Sequence, residues 1–175
     1  MNRALERFAG RVDRFNAGIG RAAGWLTVAM VVVTCIVVVA RYFFDAGWIW
    51  LQESVTWMHA VVFMLAAAWT LGLDEQVRVD VFYRDMPPRR RAVVDLAGVL
   101  LLLIPFCIFL LSVNWNYVSA SWRIGEASRE AGGLPGLFVL KSVMLVMPVL
   151  LILQGLALAA RSWLILRGAP RTPAT

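Results

Sequence analysis

Four apolar runs constrain the fold of this 175-residue chain more than any other feature. They cover about residues 25–44, 53–73, 93–117 and 137–160, and a helix needs about 20 mostly apolar residues to cross a bilayer. Because 61% of the residues are hydrophobic, a water-soluble core of this size could not bury them all. The sequence therefore predicts an all-α membrane protein with four transmembrane helices, formed by residues 23–163.

Residues 1–22 predict a separate amphipathic helix before the first span. Its apolar side chains recur at spacings of three and four and so share one helical face, with the arginines outside it: they are Leu5, Phe8, Val12, Phe15 and Ile19. A basic amphipathic helix beside a span is typical of an anchor that lies flat among anionic membrane lipids. An arm that grips a partner subunit is the alternative. Residues 164–175 predict a disordered tail.

The distribution of positive charge predicts the orientation. Thirteen of the 17 Lys and Arg residues lie in the N-terminal segment, in the loop between the second and third spans, or at the C-terminus. Short cytoplasmic loops carry this excess, so both termini are expected in the cytoplasm. A membrane protein with this bias also accounts for the net charge of +6 without a nucleic-acid partner.

Polar residues near the second span form two candidate contacts. The link between the first two spans is short, so these spans should be antiparallel neighbours, with Arg41 and Glu53 at one depth and able to form an ion pair. Thr56 and His59 belong to a polar stripe at helical spacing that also includes Gln52 and Thr70. Because unpaired polar groups are costly in hydrocarbon, this stripe predicts a helix–helix contact face.

The two remaining connections contain further candidate residues. Arg78 and Asp80 follow the second span and are expected to dock a partner. The connection between the third and fourth spans contains Glu126 and predicts a short exposed helix followed by a turn at Gly132–Pro135. Lys141 lies in the first turn of the fourth span.

The chemistry of an enzyme site is not evident in the sequence. No glycine-rich phosphate loop, Ser/His/Asp arrangement or metal-ligand cluster is present, and a single histidine excludes a bis-histidine haem within the chain. No charged residue lies deep in a predicted span, where it would indicate an ion pathway. The chain is therefore interpreted as a scaffold or partner subunit.

Several motifs, in order along the chain, carry a family resemblance. They are Arg41-Tyr42-Phe43-Phe44, Trp50 with Glu53, Gln76-Val77-Arg78-Val79-Asp80-Val81 with Pro87, Gly125-Glu126-Ala127-Ser128, Gly132-Gly133-Leu134-Pro135, Lys141, and Leu153-Gln154-Gly155. Together they resemble the small membrane subunit of tripartite ATP-independent periplasmic (TRAP) transporters, the DctQ type. The chain departs from that pattern at Gln52, where many members have an acid, and at Gln76, where many have a histidine.

The resemblance implies a non-catalytic subunit of a sodium-coupled organic acid importer in the bacterial inner membrane. Its expected partners are a large multi-span membrane subunit, a periplasmic substrate-binding protein and membrane lipids. Sodium is expected in the large subunit, and no cofactor in this chain. Residues at the matching motifs, including Gln154, are then expected to be structural or to contact other subunits.

Two other functions compete with this interpretation. A membrane anchor of a redox complex would use His59 as one haem ligand and take the second ligand from a partner chain. A small multidrug exporter would also have four helices, but its acid should lie deep in a span, whereas Glu53 lies beside Trp48 and Trp50 at an edge.

Overall fold

All regular secondary structure in the described part of the chain is helical. The computed structural model describes residues 2–76, 83 and 86–168. Its elements are α1 (Asn2–Phe44), α2 (Ile49–Leu73), α3 (Pro88–Gly98), a π-helical turn (Val99–Leu103), α4 (Ile104–Ile124) and α5 (Leu137–Leu166). From α3 to α4 the helix is continuous, which leaves four helices long and apolar enough to cross a membrane. The predicted fold class is confirmed.

Helix α1 crosses the predicted boundary at residues 22 and 23 without a break. Its 43 residues extend about 64 Å at 1.5 Å per residue, more than the thickness of a bilayer. The predicted separate helix is therefore the first half of α1, and its position at a membrane interface stays a prediction.

The buried face of this first half differs from the predicted apolar stripe. Phe8 and Phe15 are exposed, while α1 buries mostly small or polar residues: Ala9, Val12, Asp13, Asn16, Gly20 and Ala23. Small side chains let helix backbones approach closely in a membrane protein. Val12 is the one member of the predicted stripe that is buried, so the stripe coincides only in part with the face that packs within this chain.

Helices α1 and α2 are antiparallel neighbours, as predicted. Residues 45–48 join them, and the turn is closed by a hydrogen bond from Ala46 N to Ala40 O at 3.0 Å. Farther from this turn, Gly20 packs on the Trp69 ring so closely that an added Cβ would lie 2.3 Å from Cε3. The two helices are therefore in contact over most of the length of α2.

Helix α5 is the centre of the bundle, since it packs against α1, α2, α3 and α4. Gly155 of α5 lies against the π-helical turn, where an added Cβ would be 2.8 Å from Leu103 Cδ2. The wide turn comes directly before Pro105, whose ring and missing N–H disturb the preceding helical hydrogen bonds. Gly155 therefore allows α5 to pack closely against the widened part of its neighbour.

Candidate functional site

The loop 125–136 is fastened to α2 by Glu53. The Leu134 N–H donates to Glu53 Oε2 at 2.7 Å, and the side chains of Ser128 and Trp57 also reach this carboxylate. Gly133 fits between them because it has no side chain: an added Cβ would lie 2.5 Å from Ser128 Oγ. An ionised acceptor makes a hydrogen bond of this kind strong, so Glu53 orders a loop 81 residues away.

The predicted ion pair between Arg41 and Glu53 is wrong. Both residues are described, and Arg41 is exposed near the end of α1 while Glu53 accepts hydrogen bonds from the 125–136 loop. The prediction considered only charges at the same depth. A backbone N–H from a distant loop satisfies the carboxylate instead.

A second group of contacts fastens the same loop to α4 and α5. The Glu126 carboxylate forms an ion pair with Lys141 and accepts a hydrogen bond from Ser121 Oγ at 2.6 Å. Lys141 Nζ also lies 4.0 Å from the centre of the Tyr117 ring. The hydrogen bond from Lys141, followed by that from Ser121, holds the pKa of Glu126 below its ordinary value. The structure thus brings together Glu126 and Lys141, two of the predicted site residues.

The predicted short helix in this connection is wrong. Helix α4 ends at Ile124, and Gly125 takes a left-handed backbone conformation with φ of 58°, a common way to end a helix. The loop then folds on itself through hydrogen bonds, among them Ser128 N to Leu134 O at 3.1 Å. It is an ordered turn structure without a helix of its own.

The middle of the polar stripe on α2 is exposed, while its two ends, Gln52 and Thr70, are half-buried. Thr56 and His59 are exposed, and Phe63, on the same face, is 72% exposed. Thr70, farther along, donates to the backbone carbonyl of Ala67 at 2.9 Å within its own helix. The middle of the stripe is therefore not covered by the other helices of this chain, and its predicted role as a helix–helix contact face stays a prediction.

A buried polar cluster joins the first half of α1 to α5. Arg161 forms an ion pair with Asp13, and Gln154 Nε2 donates to Asp13 Oδ1 at 2.9 Å. Asn16 Nδ2 in turn donates to Gln154 Oε1 at 2.7 Å. Sequence analysis selected Gln154 but missed the other three members of the cluster, Asp13, Asn16 and Arg161. No periodic pattern in the sequence links these residues to Gln154, because Asp13 and Asn16 lie outside the predicted apolar stripe.

Arg78 and Asp80 lie outside the described residues, so their predicted docking role stays a prediction. Tyr83, in the same connection, is described, and its hydroxyl lies 2.8 Å and 2.9 Å from the two Asp95 carboxylate oxygens. Arg91 stacks on the Tyr83 ring at 5.4 Å from its centre. Tyr83 is thereby held against α3.

Comparison with known proteins decides the family. The family model described as "Tripartite ATP-independent periplasmic transporters, DctQ component" matches residues 30–165, most of the chain. This chain belongs to the DctQ family. Searches of curated proteins and of solved structures gave no match.

Membership of the DctQ family identifies the chain as a TRAP transporter small membrane subunit and a multi-pass membrane protein that associates with other TRAP components. The match gives no support to the redox-anchor alternative with His59 as haem ligand. It begins at residue 30, so Asp13 and Asn16 lie before the matched region while Gln154 and Arg161 lie within it. The buried polar cluster therefore connects the N-terminal segment to the DctQ region.

Proposed function

We propose that this DctQ chain is a non-catalytic scaffold that binds a large multi-span TRAP subunit through the exposed face of α2. That face contains Thr56, His59 and Phe63, and its exposure is the observation that supports the proposal. The large subunit would carry the sodium ions and the organic acid across the bacterial inner membrane. This chain would support it and would bind no cofactor.

The composition of α2 supports a protein partner at this face. Its most apolar window has a mean hydropathy of 1.5, compared with 2.4 to 2.8 for the other three spans. Ala68 is nevertheless the one residue of α2 that is buried. Polar side chains within a membrane usually face protein, because an unpaired polar group is costly in hydrocarbon. The least apolar span, α2, is thus the one for which a protein partner in the membrane is most expected.

The ordered 125–136 loop supports a second contact, with the periplasmic substrate-binding protein. Glu53 and Lys141 hold the loop at two points, Leu134 and Glu126, while Arg129 and Glu130 are exposed on it. A loop held in one conformation loses less entropy on binding than a flexible one. In the proposed orientation this loop faces the periplasm.

The charge distribution supports the cytoplasmic position of both termini. Arg3, Arg7, Arg11 and Arg14 are exposed on the first half of α1 and would lie near anionic lipid headgroups of the cytoplasmic leaflet. The Asp13–Arg161 pair fixes this segment to α5. Lipids and the large subunit would then contact different faces of one rigid helix bundle.

Co-purification tests the proposal. The full-length chain should purify from bacterial membranes with a multi-span subunit, and a double variant with Thr56→Leu and His59→Leu should recover much less of it. A matched variant with Leu100→Ala and Leu101→Ala, exposed on another span, should recover the normal amount. Sodium-driven uptake of an organic acid by this chain alone in liposomes would contradict the scaffold role.

A further inference from the structure

The hydrogen bonds of the buried polar cluster converge on the Asp13 carboxylate, which accepts from both Gln154 and Arg161. A carboxylate only accepts, so Gln154 must turn its Nε2 toward Asp13, which leaves Gln154 Oε1 as the acceptor for Asn16 Nδ2. Asn16 must then point its Oδ1 away from Gln154. The network thereby fixes the orientation of both side-chain amides.

This arrangement leaves one buried acceptor unsatisfied within the protein. Asn16 is 1% exposed, and its Oδ1 atom has no hydrogen-bond donor among the residues that the structure describes. Leaving a buried acceptor without a donor costs about 1–3 kcal/mol. The ligand that satisfies Asn16 must therefore be a hydrogen-bond donor or a cation.

A cavity of about 10 Å³ adjoins Asn16 between α1, α2 and α5. Asp13 and Gln154 contribute polar atoms to its wall, Trp69 and Leu73 are apolar neighbours, and Gly72 leaves room because it has no side chain. A buried water needs about 10–15 Å³ and two to four polar partners. The cavity thus has the size and the lining for one water molecule.

The local charge favours a neutral ligand over a cation. Asp13 is the one acid that lines the cavity, and Arg161 already neutralises it through their ion pair. No net negative charge then remains to compensate the desolvation of a sodium ion. The size of the cavity also excludes a ligand much larger than water.

We propose that this cavity is a binding site for a single structural water molecule, which donates a hydrogen bond to Asn16 Oδ1. The water extends the hydrogen-bonded cluster of Arg161, Asp13, Gln154 and Asn16 into the cavity between α1, α2 and α5. It thereby completes a three-helix junction that holds the N-terminal segment to the DctQ region.

A density map of the full-length chain in its membrane complex, at about 2 Å resolution, tests the site. Maps are recorded in sodium chloride and in choline chloride. A peak about 2.7–3.2 Å from Asn16 Oδ1 in both salts supports a bound water. Absence of the peak overturns the proposal, and a peak that requires sodium overturns it in favour of a cation.

Nuclear magnetic resonance provides a second, independent measurement. The chain has four asparagines, Asn2, Asn16, Asn114 and Asn116, so selective labelling gives few side-chain amide signals. In nanodiscs, the side-chain amide protons of Asn16 should show a nuclear Overhauser cross-peak to water. Its sign should be that of a water molecule bound for a long time. The exposed Asn2 provides the control for rapidly exchanging water and should lack that sign. A missing cross-peak at Asn16 would overturn the proposal.

Discussion

The side-chain amide of Gln154 donates a hydrogen bond to the carboxylate of Asp13 at 2.9 Å, across 141 positions of the sequence. Arg161, two helical turns farther along α5, pairs with the same carboxylate. One acid near the N-terminus is thus bound by two residues near the C-terminus. This contact determines how the first half of α1 packs on the bundle.

The variant Asp13→Asn should destabilise the chain by about 3 kcal/mol, since removal of one partner leaves the other charge of a buried pair uncompensated. The free energy of unfolding in detergent micelles measures this effect. The control is Glu6→Gln, at an exposed acid of the same helix, which should change it by less than about 0.5 kcal/mol. Equal effects of the two variants would show that the Asp13–Arg161 pair does not stabilise the fold.

Gly20→Ala should push α1 and α2 apart, because the new methyl group would lie 2.3 Å from Trp69 Cε3. Overpacking of this kind costs about 1–3 kcal/mol. Gly18→Ala is the matched control on the same helix, with nothing within 4 Å of the added atom. It should stabilise the helix by up to about 1 kcal/mol. The unfolding temperature is expected to fall in Gly20→Ala and to rise in Gly18→Ala. A higher unfolding temperature in Gly20→Ala would contradict the close approach of α1 and α2.

Glu53→Ala should release the 125–136 loop, because the Leu134 N–H loses its ionised acceptor. Hydrogen exchange at the Leu134 amide is expected to accelerate by about tenfold or more. Arg41→Ala should leave that rate unchanged, since Arg41 is exposed and makes no ion pair with Glu53 among the described residues. Faster exchange at the Leu134 amide in both variants would instead support an ion pair between Arg41 and Glu53.

Acid should loosen the same loop through Glu126. Its pKa is held below the ordinary value of 4.5 by Lys141 and Ser121. A carboxyl group whose pKa is lower in the folded state stabilises the protein at pH values above its unfolded-state pKa. This contribution is lost as the pH falls through the folded-state pKa. Exchange in the loop should therefore rise below pH 4.5 in the wild type and much less in Glu126→Gln. Glu130→Gln, at an exposed acid of the loop, should follow the wild type.

Local sequence patterns predicted the four helices well because lipid imposes a strong, local requirement on composition. A run of apolar residues must be helical to satisfy its own backbone in hydrocarbon. The short 45–48 link similarly left α1 and α2 little choice but to pack side by side. The spans and the neighbouring pair were accordingly predictable without any long-range information.

Long-range contacts had no comparable signal. The partner of Glu53 is the backbone N–H of Leu134, a group that every residue but proline carries, so sequence reasoning chose the nearest charge instead. Asp13 and Arg161 are 148 positions apart, with no periodic pattern to connect them. The stripe on α2 was recognised as a contact face, but its spacing could not tell whether the contact lies within the chain.

Site-specific photo-crosslinking from α2 tests the proposed scaffold role most directly. A photoreactive amino acid replaces Phe63, which is 72% exposed on the polar stripe, or Leu101, which is 72% exposed on the π-helical turn. In native membranes the Phe63 position should crosslink to a multi-span membrane subunit, and the Leu101 position mainly to lipid. Crosslinking of the Phe63 position to lipid alone would contradict the account.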